Sequence, residues 1–133
     1  MLSIKKAKGF ANKWLPAWSG NKPLELAEYY SDDCFYLDAG CPNGIIGKVE
    51  LVKYFTKLLG QNPNWIWKQI EAIPMEKGFL NKWKAIIPVG EKNIECIGVC
   101  LVQFDENNKI NRNKVYFDRT ELINEIFKLK KSK

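Results

Sequence analysis

Asp38 closes an apolar run, Cys34-Phe35-Tyr36-Leu37, and is followed at once by Ala39, Gly40 and a turn-rich stretch holding Pro42, Asn43, Gly44 and Gly47. A carboxylate placed there has two readings. Either it accepts hydrogen bonds from the backbone of the following loop, as aspartates before turns commonly do. Or it faces a pocket, where desolvation makes a carboxylate a stronger general base. The chain contains no histidine. Ser-His and Cys-His nucleophile pairs, histidine bases and most zinc sites are thereby removed. Cys96 and Cys100, four apart on a strand, would stand roughly 13 Å apart at about 3.3 Å per residue, too far to share a metal ion or a disulfide. Cys34 and Cys41 bracket a loop and could approach one another, but buried reduced thiols acting as small apolar side chains are the simpler reading. Asp118 is followed by Glu121 and then by Leu122, Ile123, Ile126 and Phe127. That is a capping-box-like pattern and favours a helix N-cap over a catalytic role. What remains is acid–base chemistry by one carboxylate, with no metal and no cofactor.

The elements that must position Asp38 follow from periodicity. Apolar residues at 4, 7, 11, 14, 15 and 18 have helical spacing. Pro16 predicts a kink, or an end to the helix before it. Asn21-Lys22-Pro23 restarts a helix through about Tyr30, with Leu24, Ala27 and Tyr30 on its face. Residues 34–38 read as a short strand. Gly47 to Leu59 reads as a third helix, with Val49, Val52, Phe55 and Leu59 inward and Gly60 as its stop. After Asn62-Pro63-Asn64 the period becomes two. Strands are predicted over about 65–74, 79–88, 93–104 and 109–118, joined at hairpin lengths, so the sheet should be largely antiparallel. Helices first and strands afterwards is the α+β pattern.

The chain has 133 residues, of which 46% are hydrophobic and 13% aromatic. That fits one folded domain over 1–133 rather than a disordered chain. No window is long and apolar enough for a membrane span, and the start, MLSIKKAKGF, lacks a signal-peptide core. A cytoplasmic protein without a membrane partner is expected. The net charge of +6 sits at the two basic ends, 1–9 and 128–133, and their flanks. Residues 23–127 carry a net charge of −3. Solvated ends are therefore favoured over a nucleic-acid footprint. Residues 94–104 are apolar on both faces: Ile97, Val99 and Leu101 on one, Cys96, Cys100, Val102 and Phe104 on the other. Helices in a chain this size cover one face, so the other should bury against a second copy. A covered central strand in a monomer is the alternative.

The order of three helices with a short strand before the third, then a run of hairpins, resembles the nuclear transport factor 2-like superfamily. The residues that carry the resemblance are Tyr29 to Asp38, then Gly44-Ile45-Ile46-Gly47, Phe104-Asp105-Glu106 with Lys109-Ile110, and Val115-Tyr116-Phe117-Asp118. The resemblance covers about residues 10–127 and implies a cone-shaped, curved antiparallel sheet with the three N-terminal helices on its concave face. Its members include ketosteroid isomerase, scytalone dehydratase, limonene epoxide hydrolase and the SnoaL-like polyketide cyclases. In the isomerase register the catalytic aspartate falls on Asp38, and the two oxyanion donors fall on Trp14 and Cys100. An indole N–H donates one hydrogen bond, and a thiol is a poor donor. Losing one oxyanion donor costs roughly a hundred-fold or more in rate, so the isomerase reaction itself is not expected. In the epoxide hydrolase register the last-strand aspartate falls on Val115, and scytalone dehydratase relies on histidines that this chain lacks.

The same registers, with strand alternation, bring Tyr36, Cys96, Cys100, Val102, Val115 and Phe117 toward a cavity beside Asp38 and Trp14. Trp18, Trp65, Trp67 and Trp83 join as rim or wall. An apolar, aromatic cavity with one carboxylate is the usual composition of a small-molecule site. The expected function is binding of a small hydrophobic or aromatic molecule, as an isomerase-, lyase- or cyclase-like enzyme with Asp38 as general base and Trp14 or Tyr36 as donors. The alternative is a non-catalytic ligand-binding or dimeric association domain using the same cavity.

Overall fold

A computed structural model of the chain describes residues 1–131. Helix α1 (Ile4–Trp14) begins at Ser3, whose side chain accepts from the Lys6 N–H at 3.1 Å. It buries Ala7, Ala11 and Trp14. Pro16 has no N–H to continue the α ladder, so the chain tightens into a 3-10 turn, Leu15–Trp18, that tucks Trp18 inward. Helix α2 (Pro23–Ala27) opens on a proline and is shorter than its predicted span, because strand β1 (Tyr30–Leu37) already starts at Tyr30. It buries Leu26 and Ala27 and leaves Leu24 exposed.

After the loop come β2 (Ile45–Ile46), α3 (Lys48–Gln61), β3 (Ile66–Met75), β4 (Gly78–Val89), β5 (Lys92–Phe104), β6 (Ile110–Phe117) and α4 (Thr120–Lys131). They form one six-stranded sheet in the order β2-β1-β6-β5-β4-β3. The hairpins β3–β4, β4–β5 and β5–β6 are antiparallel, as their short connections demand. The sheet is nonetheless mixed rather than antiparallel throughout: β1 runs parallel to β6, which places the Asp38 loop beside the end of the last strand. The architecture is α+β, with helices packed against the sheet.

Helix α3 presents Leu51, Phe55 and Leu59 to the interior, while Val49, expected inward, is 73% exposed. The phase is set by Phe55, whose ring lies 5.1–5.6 Å from those of Trp18, Tyr36 and Tyr30. Helix α3 also runs past Gly60 to Gln61. The inner face of the sheet reads across in rows: Phe79 with Val102 and Asn113, Asn81 with Cys100 and Val115, Trp83 with Gly98 and Phe117. The outer face carries Ile97, 54% exposed, and Tyr116, 49% exposed. Lys5, Lys6, Lys8 and Lys13 lie on the solvent side of α1, and Lys128, Lys130 and Lys131 on that of α4. The basic ends are thus helix surfaces as far as they are described, and Lys133 lies outside the described residues. No helix among those described is long and apolar enough to cross a membrane.

Candidate functional site

Asp38 sits one residue past β1, at the point where the chain turns into the loop. It is 9% exposed. Its Oδ1 accepts from the Gly40 N–H at 2.7 Å, the Cys41 N–H at 3.1 Å and the Cys41 thiol at 3.4 Å. Its Oδ2 accepts from the Tyr36 hydroxyl at 2.7 Å. The Tyr54 hydroxyl lies 2.8 Å from both carboxylate oxygens. Both sequence readings of Asp38 therefore meet in one residue: it bonds the loop backbone, and it also forms part of a cavity wall.

Gly40 makes this arrangement possible. A Cβ there would sit 2.9 Å from the Tyr54 hydroxyl and 3.3 Å from Asp38 Oδ1, so a side chain would force the phenol to shift on the carboxylate. Burial, and then the charge of Asp38, push both tyrosine hydroxyls well above the ordinary phenol range, which keeps them protonated donors. The same two causes, in the same order, push the Cys41 thiol up to about 11.

The cavity has a volume of about 110 Å³. All five tryptophans of the chain line it: Trp14, Trp18, Trp65, Trp67 and Trp83. Successive rings touch at centroid separations of 4.9–6.0 Å along Trp14–Trp18–Trp67–Trp83, with planes turned 48–74° from one to the next, so the wall bends around the space. Trp65 packs on Trp67 at 5.8 Å, and Phe117 on Trp83 at 5.4 Å. Gly98 lies between Trp83 and Phe117 in the sheet row, and a Cβ there would collide with the Trp83 ring. The missing side chain lets the two rings meet and shapes that wall.

Of the residues expected around Asp38, Trp14, Trp18, Tyr36, Cys100, Val115 and Phe117 line the cavity with it. Cys96 and Val102 share the inner face but lie elsewhere. Val102 is fully buried in the row with Phe79 and Asn113, and Cys96 lies toward the charges of Glu121 and Asp118. The thiol of Cys100 is fully buried and pushed up to about 12, so it offers no charge and only a weak donor. Tyr54, Leu58 and Arg119 also line the space and are absent from the sequence expectation. The stripe Leu51, Tyr54/Phe55, Leu58/Leu59 would have brought Tyr54 inward had the helix been phased on leucine rather than valine.

Polar side chains are also buried on the inner face, Asn81 in the row of the cavity-lining Cys100 and Val115 and Asn113 in the next row. The Tyr30 hydroxyl, fully buried, accepts from Asn113 Nδ2 at 3.0 Å. Trp14 Nε1, both amide atoms of Asn81 and Asn113 Oδ1 are buried with no hydrogen-bond partner among the described residues. Burial pushes the Tyr30 hydroxyl well above the ordinary phenol range, opposed in part by the hydrogen bond from Asn113. Asp118 stays exposed and accepts at 2.9 Å from the N–H of Thr120, the first residue of α4, but the first helical bond goes to the Arg119 carbonyl, so Asp118 stands one residue before the N-cap position expected of it.

No family profile matches the sequence, and no curated protein matches it. Solved structures do match. One is a crystal structure described as a SnoaL-like polyketide cyclase from Shewanella putrefaciens CN-32. It is 11% identical, with a TM-score of 0.76 over 92% of this chain and 86% of that one. At that identity the likeness concerns the backbone arrangement. The match over nearly the whole of both chains shows that this chain shares the backbone fold of that SnoaL-like structure, the nuclear transport factor 2-like fold.

Proposed function

We propose that this protein binds a small apolar or aromatic molecule in the tryptophan-lined cavity. The observation that carries the reading is the convergence of all five tryptophans on one space. Large aromatic side chains gathered around a cavity, with few polar groups among them, make a small-molecule site. A cavity of roughly 150 Å³ holds a benzene ring, so about 110 Å³ restricts the ligand to a compact molecule or to one compact end of it. Native mass spectrometry of the purified protein, with a tryptophan-fluorescence titration, tests the reading. A co-purified or added ligand that quenches the cavity tryptophans supports it. A ligand bound outside the cavity overturns it.

The second reading is an isomerase-, lyase- or cyclase-like enzyme with Asp38 as general base. Its support is that Asp38 lines the cavity beside two phenols. The same hydrogen bonds weigh against it. Two phenols, two backbone N–H groups and a thiol already occupy the carboxylate. A proton taken from a substrate would have to displace one of them. The phenols, having donated to Asp38, have no second proton to give to a developing oxyanion. The binding reading therefore stands first.

The proposal also takes the sheet to curve into a cone with the helices on its concave side, and the protein to pair with a second copy through its outer sheet face. Ile97 and Tyr116, exposed there with Val99 and Leu101 half-buried between them, support the pairing. It includes a cytoplasmic setting, supported by four unpaired thiols.

A further inference from the structure

Asp38 is nine-tenths buried, yet no lysine or arginine nitrogen among the described residues lies within 4.0 Å of it. Buried carboxylates are ordinarily paired with a cation. All five of its hydrogen-bond donors are neutral, so they spread its charge without cancelling it. Most of the remaining wall is aromatic, five indoles and two phenols with Phe117, completed by aliphatic side chains, the neutral Cys100 thiol and one cation, Arg119. Aromatic faces carry a negative potential, tryptophan's the strongest, and attract cations when water is excluded. A buried carboxylate with no cation in contact and five tryptophans around a single small space both favour a positive guest.

The kind of cation follows from the hydrogen bonds. An ammonium with N–H groups must find acceptors when it leaves water, and the oxygens of Asp38 are already engaged. A methylated nitrogen carries its charge without needing any acceptor. A trimethylammonium head is compact and nearly spherical, the kind of small cationic group that a cavity of about 110 Å³ would take. The single cationic side chain in the lining, Arg119, is half-buried at the start of α4 and makes no ion pair with Asp38 among the described residues. Two opposite charges that share a small cavity without touching leave a dipole for the guest to fill.

We propose that the cavity takes a methylated organic ammonium, its charged nitrogen inward between the indoles and Asp38, with any anionic or hydroxyl group trailing toward Arg119. This rests on the ligand-binding reading above and names its ligand class. The test is an isosteric pair measured on the intact protein by isothermal titration calorimetry. Choline is set against 3,3-dimethylbutan-1-ol, in which carbon replaces the charged nitrogen, and indole serves as a neutral aromatic control. Choline should bind about tenfold or more tightly than the alcohol, the scale of a desolvated cation–aromatic contact. Asp38→Asn should shrink that ratio, and the wild-type ratio stands by itself should the variant fold poorly. If the alcohol binds as well as choline, or indole binds and choline does not, the cation proposal is overturned while the cavity reading survives. If none of the three binds, both fall.

Discussion

Asp38 and Tyr54 hold the polar part of the cavity wall together at the scale of single residues. A buried donor or acceptor stripped of its partner costs about 1–3 kcal/mol. Tyr54→Phe removes one donor from the carboxylate and should lower unfolding stability by about 1–2 kcal/mol. Asp38→Ala unties two phenols and the Gly40–Cys41 backbone at once, and should cost about 3 kcal/mol. Urea denaturation of the two variants checks both values. An Asp38→Ala variant as stable as the parent would show that this network holds nothing together. Cys100 offers the matching lesson about donors. Its thiol stands at the cavity wall but is buried and protonated, so it offers a guest there only a weak donor.

Elements decide which rings meet. The row Trp83–Gly98–Phe117 works because the middle strand contributes no side chain. Gly98→Ala would place a methyl against the Trp83 ring and 2.7 Å from the Phe117 Cβ. Overpacking of this kind costs about 1–3 kcal/mol. We expect the variant to show a lowered denaturation midpoint, an altered near-ultraviolet dichroism of Trp83 and weaker ligand binding. A variant that binds as the parent does would mean that the Trp83–Phe117 wall plays no part in recognition. The β3 strand makes a similar point. Its pairing with β4 shifts between Gln69 and Glu71, so inward positions run Trp65 and Trp67 before the irregularity and Ala72 after it. Strict alternation cannot carry the facing of these tryptophans through such a shift.

The molecule as a whole should weaken in alkali. Burial holds the Cys100 thiol at about 12 and the Cys41 thiol at about 11, against 9.0 for an unperturbed thiol. The unfolded chain therefore releases these protons first as the pH rises. Their contribution is complete below about pH 9 and is lost as the pH climbs through about 11 to 12. Tyr36 and Tyr54, also raised, act in the same direction. Urea midpoints followed across that window should fall, and Cys100→Ala should make the fall shallower. A midpoint flat with pH in the parent would contradict the burial of these groups. Assembly belongs to this scale too. Sedimentation should find a dimer, and Ile97→Lys on the outer face should give a folded monomer. A monomeric parent would sink the pairing proposal.

Much of this architecture can be read along the chain. The period-two segments locate the four long strands, and the predicted span 79–88 lies within Gly78–Val89. Pro16 announces the break after α1, and Asp118 the start of α4. These are local signals, because helical and strand periods and capping act over a few neighbouring residues. The first half of β1 was hidden. Ser31, Asp32 and Asp33 do not read as a strand, and the partner of Tyr30 is Ile110, eighty residues on. Strand β2, only Ile45 and Ile46, is too short to show a period.

Residue types alone determined that no histidine chemistry is open to this protein and that one carboxylate stands at the end of an apolar strand. Tertiary structure alone decided what that carboxylate is. Helix α3 carries Tyr54 across to it, Gly40 clears the approach, and helix α1, the 3-10 turn after it, the entry to β3 and the paired strands β3 and β4 bring five tryptophans around one space. The physical reason is range. Propensity and periodicity are set by near neighbours, whereas register, helix phase and the closing of a cavity depend on contacts between residues far apart in the chain.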